Sequence, residues 1–158
     1  FLLSLAEGLL RIAIFVIYIA AISTMKDIRR VFEYHGAEHK AVHCLEHNDK
    51  LTPENAKKYT TIHPRCGTSF MMIVMVVSIL LFSFIGWQGL LLRILSRIVL
   101  LPVIAGISYE FIRLAGESES IFVKVLNTPG MWLQRLTTRE PDESQLEVAI
   151  AALKSVIS

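Results

Sequence analysis

The sequence predicts an all-α membrane protein: a polytopic helix bundle with a cytosolic helical extension and short helices. Three observations carry that expectation. The 158 residues are 53% hydrophobic with a mean hydropathy of +0.52, more apolar than a soluble domain of this size, which must cover its surface with polar groups. Residues 69–87, SFMMIVMVVSILLFSFIGW, carry no charge, and a membrane-crossing helix needs about 20 mostly apolar residues. Two further apolar runs, 1–23 and 98–114, lie on either side of it.

The first run, FLLSLAEGLLRIAIFVIYIAAIS, is interrupted by Glu7 and Arg11, four apart and so placed to pair on one helix face. It has neither the basic leader nor the small-residue cleavage pattern of a signal peptide. Residue 1 is Phe inside an apolar run, so the chain reads as the C-terminal part of a longer protein. From Thr24 the sequence has no helix breaker except Gly36, which predicts that the first helix leaves the membrane and continues unbroken to about Glu46. Thr52 is a good N-cap with Pro53 at the first helical position, opening a helix of about two turns. Pro64 and Gly67 mark an ordered turn that feeds the span at 69–87. The GWQG stretch is expected as the outer turn, and residues 90–116 as a second hairpin arm kinked at Pro102. Pro102 and Gly106 are tolerated inside the third span, 98–114, better than in a soluble helix.

Residues 117–158 read as an interfacial and C-terminal helical segment. Phe122, Val123, Val125, Leu126, Trp132 and Leu136 alternate with charges, as suits a segment lying at the membrane surface with Trp132 at headgroup level. Asp142, with Gln145 three residues on, forms a capping-box pattern for the last helix. That helix is apolar around most of its circumference, so it is expected to pack on another helix or subunit. The whole chain, 1–158, is taken as a single membrane domain.

Charge orients the chain. A formal net charge of +2 is too small to argue for nucleic acid. Residues 24–68 hold eight Lys/Arg against six Asp/Glu, which by the positive-inside tendency puts this His-rich segment in the cytosol. Arg93 and Arg97 then fall near the outer side, against the rule, and are expected to snorkel. Cys44 and Cys66 both lie in the cytosolic stretch, where a stable disulfide is disfavoured and a ligand or plain thiol role is more natural. Glu110 and Arg113, three apart in the third span, read as a structural ion pair rather than an ion pathway.

The chemistry-bearing feature is EYHGAEHKAVHCLEH, residues 33–47, with His35, His39, His43 and His47 at a strict four-residue step. Each step advances a helix by about 400°, so neighbours share a face one turn apart. His35-Gly36-Ala37-Glu38-His39 reads H-x-x-E-H, the inverted zinc-peptidase helix motif, in which the histidines hold the metal and the glutamate works on its water. His63-Pro64-Arg65-Cys66 offers an imidazole and a thiol three apart. The expected ligands are therefore His35, His39, His63 and Cys66, with Glu38 as base and Arg65 as anion holder. His43 and His47, farther along, rank lower. Isolated surface histidines are usually only solvated, and the clustering argues the other way here; Cys66 can equally serve as a ligand or simply pack. A nitrogen and sulfur donor set favours zinc, whereas carboxylates would favour calcium or manganese.

YHGAEHKAV, HPRCGTSF, LLPVIAGISYEFIRLAG and PGMWLQRLTTREPDESQLEVAIAAL together resemble the YqhQ-like family of uncharacterised bacterial membrane proteins, often labelled metal-dependent enzymes. The likeness runs from about Tyr34 to Leu153. It implies a bacterial cytoplasmic-membrane location and family members longer than this chain. It marks His35, Glu38, His39, His63, Arg65 and Cys66, then Glu110, Arg113, Arg135, Arg139 and Glu140.

Two functions fit this reading. In a membrane-embedded metal hydrolase, zinc would polarise water, Glu38 would take the proton and Arg65 would hold an oxyanion. A site using all four ligands is closed, however, which is the mark of a structural metal. In an oligomeric ion channel or transporter the His/Cys cluster is instead a cytosolic clip or gate, and Glu7, Arg11, Glu110 and Arg113 are the intramembrane charges on hand. Three spans are too few for a roomy pore, so that reading predicts a homo-oligomer in the lipid bilayer. A scaffold for other membrane proteins is a third, plainer option.

Overall fold

The computed structural model describes residues 2–85, 89–118 and 120–157. Among them the chain is helical without strands: α1 (Leu2–Ile22), α2 (Lys26–Glu46), α3 (Pro53–Ala56), α4 (Gly67–Ile85), α5 (Leu90–Glu117), α6 (Ile121–Thr137) and α7 (Glu143–Ile157). Of the expected outer turn at 86–89, residues 86–88 lie outside the described residues, as does residue 1 with the reading of Phe1. Three helices, α1, α4 and α5, are long and apolar enough to cross a membrane.

The contacts divide the chain into two compact units. The first comprises Phe1–Ile17 and Pro64–Leu133, the second Tyr18–His63 and Gln134–Ser158. The division passes through α1 and α6, so each of these helices supplies residues to both units.

In the first unit α4 lies against α5. A Cβ on Gly8 of α1 would come within 2.5 Å of the Ile79 side chain on α4, so the missing side chain is what lets these helices approach. Ser78 and Ser83 donate to the carbonyls of Val74 and Ile79, both at 2.6 Å, satisfying their hydroxyls inside an apolar helix. Glu7 and Arg11 pair at 3.2 Å, and Glu110 and Arg113 at 2.9 Å, as their helical spacings predict.

The expected continuous helix from the first span to Glu46 is broken at Ser23–Met25. Ser23 and Thr24 turn their hydroxyls back onto the carbonyls of Ala20 and Ala21, both at 2.7 Å. Such local side-chain bonds compete with the helix ladder, and Met25 adopts an extended conformation with ψ 134° ahead of α2. Hydrophobic continuity hid this break.

The second unit is built around α2. Ala37, Ala41 and Cys44 lie about 180–240° round the helix from His35, at about 100° per residue. They bury against Leu146 and Ile150 of α7, with Ala56 of α3 completing the core. Small residues on α2 let α7 lie close, while Leu146 and Ile150 are the large side chains buried in the cluster. α2 ends in a Schellman motif: Asn48 takes the left-handed conformation at φ 59°, Asn48 N–H donates to Leu45 O, and Asp49 N–H to Cys44 O, pairing carbonyls the helix leaves open. Thr52 caps α3 through Asn55 N–H at 3.4 Å, though α3 is one turn, not two. Asp142 and Gln145 complete the capping box of α7 reciprocally, at 2.8 and 2.9 Å.

Candidate metal centre

α2 buries its second face too. Opposite the alanines stands the histidine row, covered by residues 57–63, a segment without helix or strand beyond a turn. Such a segment must find partners for its backbone carbonyls, and α2 supplies them from side chains. Lys40, 3% exposed, donates to Lys57 O at 3.1 Å and Tyr59 O at 2.7 Å and pairs with Glu140 at 2.6 Å. His39 Nδ1 donates to Thr61 O at 2.6 Å and His43 Nε2 to Ile62 O at 2.9 Å. One turn earlier, His35 Nδ1 donates to Thr137 O at 2.8 Å.

These bonds set the tautomers. A carbonyl only accepts, so each bonded ring nitrogen carries its proton, and in a neutral imidazole the other nitrogen carries the lone pair. That atom is Nε2 in His35 and His39 and Nδ1 in His43. Metal-binding histidines show this arrangement, one ring N–H held by a carbonyl and the opposite nitrogen directed to the ion.

His63 enters from the segment's end and is fixed by a buried amide. Gln134, 0% exposed, accepts from His63 N–H at 2.8 Å and donates to His63 O at 2.7 Å. The His63 ring stands 4.7 Å from that of His43 and 5.7 Å from that of His39, centroid to centroid, and the His35 and His39 rings are 4.4 Å apart. His63 Nε2 reaches Glu46 Oε2 at 3.2 Å. Burial pushes the His63 imidazole below its ordinary pKa, against an upward pull from Glu46, so burial favours the neutral ring.

His43, Glu46 and His63 offer ligand atoms that all lie within 4.8 Å of one another. Glu46 is the residue that sequence reasoning missed, although a signal was there. It stands seven residues after His39 and three after His43, which returns it to the histidine face. Gln134 gave no signal; its importance rests on contacts distant in sequence.

The other expected site residues are placed as follows. Glu38 is exposed on α2, one residue to the side of the row. His47 is exposed, its ring 4.9 Å from that of Tyr59. Arg65 and Cys66 belong to the first unit; Arg65 is exposed, its stem against Gly116, and Cys66 is buried with its sulfur 3.2 Å from the Thr68 hydroxyl. The structure thus brings His35, His39, His43, Glu46 and His63 into one row within the second unit. Cys44 faces α7 instead, and burial pushes its thiol pKa up, helped by Asp49.

Comparison with known proteins agrees with the resemblance in the motifs. The profile of a family described as "Protein of unknown function (DUF1385)" matches residues 1–158. The "Uncharacterized protein YqhQ" of Bacillus subtilis (strain 168) is 39% identical over 152 residues, covering 96% of this chain and 48% of the relative. The chain therefore spans about half the length of that curated relative. No solved structure matches it.

Proposed function

The chain belongs to the DUF1385 family, and we propose that its second unit is a divalent-metal centre, zinc by preference, serving as a metal-dependent hydrolase at the membrane surface. The observation that carries this is the convergence of His43, Glu46 and His63 donor atoms within 4.8 Å. Two imidazoles and one carboxylate are a donor set suited to zinc, and three protein ligands leave one coordination position open, as catalytic sites do. The Glu46 side chain is 33% exposed, so the open side faces solvent. Bound zinc supplies Lewis-acid polarisation; the chain supplies His35 and His39 as further imidazoles in the same row, and Glu38 as a solvent-facing base.

The test is zinc titration of purified, chelator-stripped protein, with helix content checked by circular dichroism. His43→Ala, Glu46→Gln and His63→Ala should each weaken zinc binding at least tenfold, while His47→Ala leaves it unchanged. Equal zinc affinity in His63→Ala and wild type refutes the centre. Turnover of ester, amide or phosphoester probes that disappears in Glu38→Gln with zinc retained supports the hydrolase. Cys66→Ser and Arg65→Gln are measured alongside.

The carbonyl bonds of His39 and His43 favour a second reading, in which the row clips the 57–63 segment and the metal is structural, within an oligomeric ion channel. Chelation would then lower the melting temperature without any turnover to lose, and ion flux in liposomes would persist. In either case we place the His-rich face in the cytosol of a bacterial cytoplasmic membrane, supported by eight Lys/Arg against six Asp/Glu over residues 24–68.

A further inference from the structure

The first unit contains a cavity of about 590 Å³ between α1, α4 and α5, within the roughly 300–1,000 Å³ typical of ligand sites. Its chemistry is divided along its length. At one end stand Glu7, Arg11, Arg93 and Arg97, with Ser96 beside them; toward the other the lining is Phe70, Val74, Ile104 and Ala105. Along α4 the lining runs from Phe70 to Ile85, fifteen residues and so about 22 Å at 1.5 Å per residue.

The charges at the polar end do not balance. Glu7 Oε2 lies 3.2 Å from Arg11 and 3.7 Å from Arg93, so one carboxylate serves two guanidiniums. Arg97 lies over the Phe82 ring, 5.6 Å from its centroid, with no carboxylate within ion-pair distance among the described residues. Among the described lining residues three arginines stand against one glutamate, in helices apolar enough to cross a membrane. Charge there is costly unless paired. A purely structural ion cluster accounts for Glu7 with Arg11 and Arg93 and leaves Arg97 and the apolar groove unused.

We propose that this cavity binds one anionic amphiphile, its phosphate group among Arg11, Arg93 and Arg97 and its hydrocarbon chain along α4 toward Phe70. Guanidiniums suit a phosphate because their fork of N–H donors matches its oxygens. The apolar lining beyond them distinguishes a lipid from a free anion, because a phosphate ion alone has nothing to place there.

The test is lipid binding to the full chain in neutral detergent, read by native mass spectrometry with phosphatidylglycerol, phosphatidylcholine or inorganic phosphate as probes. Two variants separate head from chain: Arg97→Gln removes charge, and Ala105→Phe fills the groove without touching charge. Phosphatidylglycerol should bind at least tenfold tighter than phosphatidylcholine; Arg97→Gln should remove most of that preference, and Ala105→Phe should weaken binding of both lipids. Arg97→Lys, which keeps the charge, should bind within a few-fold of wild type and stands in if Arg97→Gln does not fold. Undiminished phosphatidylglycerol binding in Arg97→Gln overturns the proposal. So does equal binding of the two lipids, or inorganic phosphate binding as tightly as lipid with Ala105→Phe without effect.

Discussion

Gln134→Ala should damage both the fold of the second unit and its metal affinity, through one backbone residue. The Gln134 amide is fully buried and makes two hydrogen bonds to the main chain of His63, at 2.8 and 2.7 Å. Truncation leaves a buried N–H and a buried C=O without that partner. Each such orphan costs about 1–3 kcal/mol, and water entering the vacated space recovers part, so a loss of about 2–4 kcal/mol is expected. The His63 ring depends on that backbone to stand 4.7 Å from His43. Loosening a support of this kind lowers metal affinity by about 10–100-fold. Stability is read by denaturant unfolding, the local effect by hydrogen exchange at the His63 amide, and affinity by zinc titration against a competing chelator. Arg135→Ala, an exposed neighbour, is the control and should shift stability by no more than about 0.5 kcal/mol. If Gln134→Ala keeps His63 amide protection and zinc affinity within threefold of wild type, the account of how His63 is positioned is wrong.

Gly36→Ala sets two effects against each other. Alanine gains about 1 kcal/mol of helix propensity, but its Cβ would collide with Arg139 O. Overpacking of about 1–3 kcal/mol and loss of the Arg139 N–H bond to Phe32 O, about 0.5–1.5 kcal/mol, outweigh it, so unfolding should come earlier; a more stable variant would contradict the contact. Tyr59 donates to Asp49 at 2.8 Å, which pushes its phenol from 10.0 up to about 12. Folding favours the protonated phenol, so its contribution is full below about pH 10 and is lost as pH rises toward 12. The wild-type minus Tyr59→Phe absorbance titration should show that midpoint, and Asp49→Asn should return it toward 10. Cys44, buried against α7 with its thiol pKa raised, should resist alkylation at neutral pH until the second unit unfolds; rapid labelling of native protein would show the core open.

Helix content, the three apolar helices, the caps at Thr52 and Asp142 and the Glu7–Arg11 and Glu110–Arg113 pairs were legible because each depends on residues a few positions apart. The break at Ser23–Met25 was not, since two hydroxyls bonding backward decide it while the apolar run continues to Ser23. The histidine face was legible as periodicity, but the motif drew the eye to Glu38 as a base and Glu46 went unread as a member of that face. Helical rotation favours Glu46, which returns to the row after seven residues. Gln134, Lys40 and Glu140 act through contacts separated by many residues, and no local pattern announces them. The division into two units also lies beyond the hydrophobic pattern, because it cuts through α1 and α6 instead of a linker.

The segment at 57–63 is held by its carbonyls, and every residue type has one. Lys57, Thr61 and Ile62 can therefore exchange identities with little effect on the path the chain takes there. The instructions for that path are written elsewhere, in His39, Lys40 and His43, so an insertion or random library confined to the loop would underestimate how easily its shape is erased.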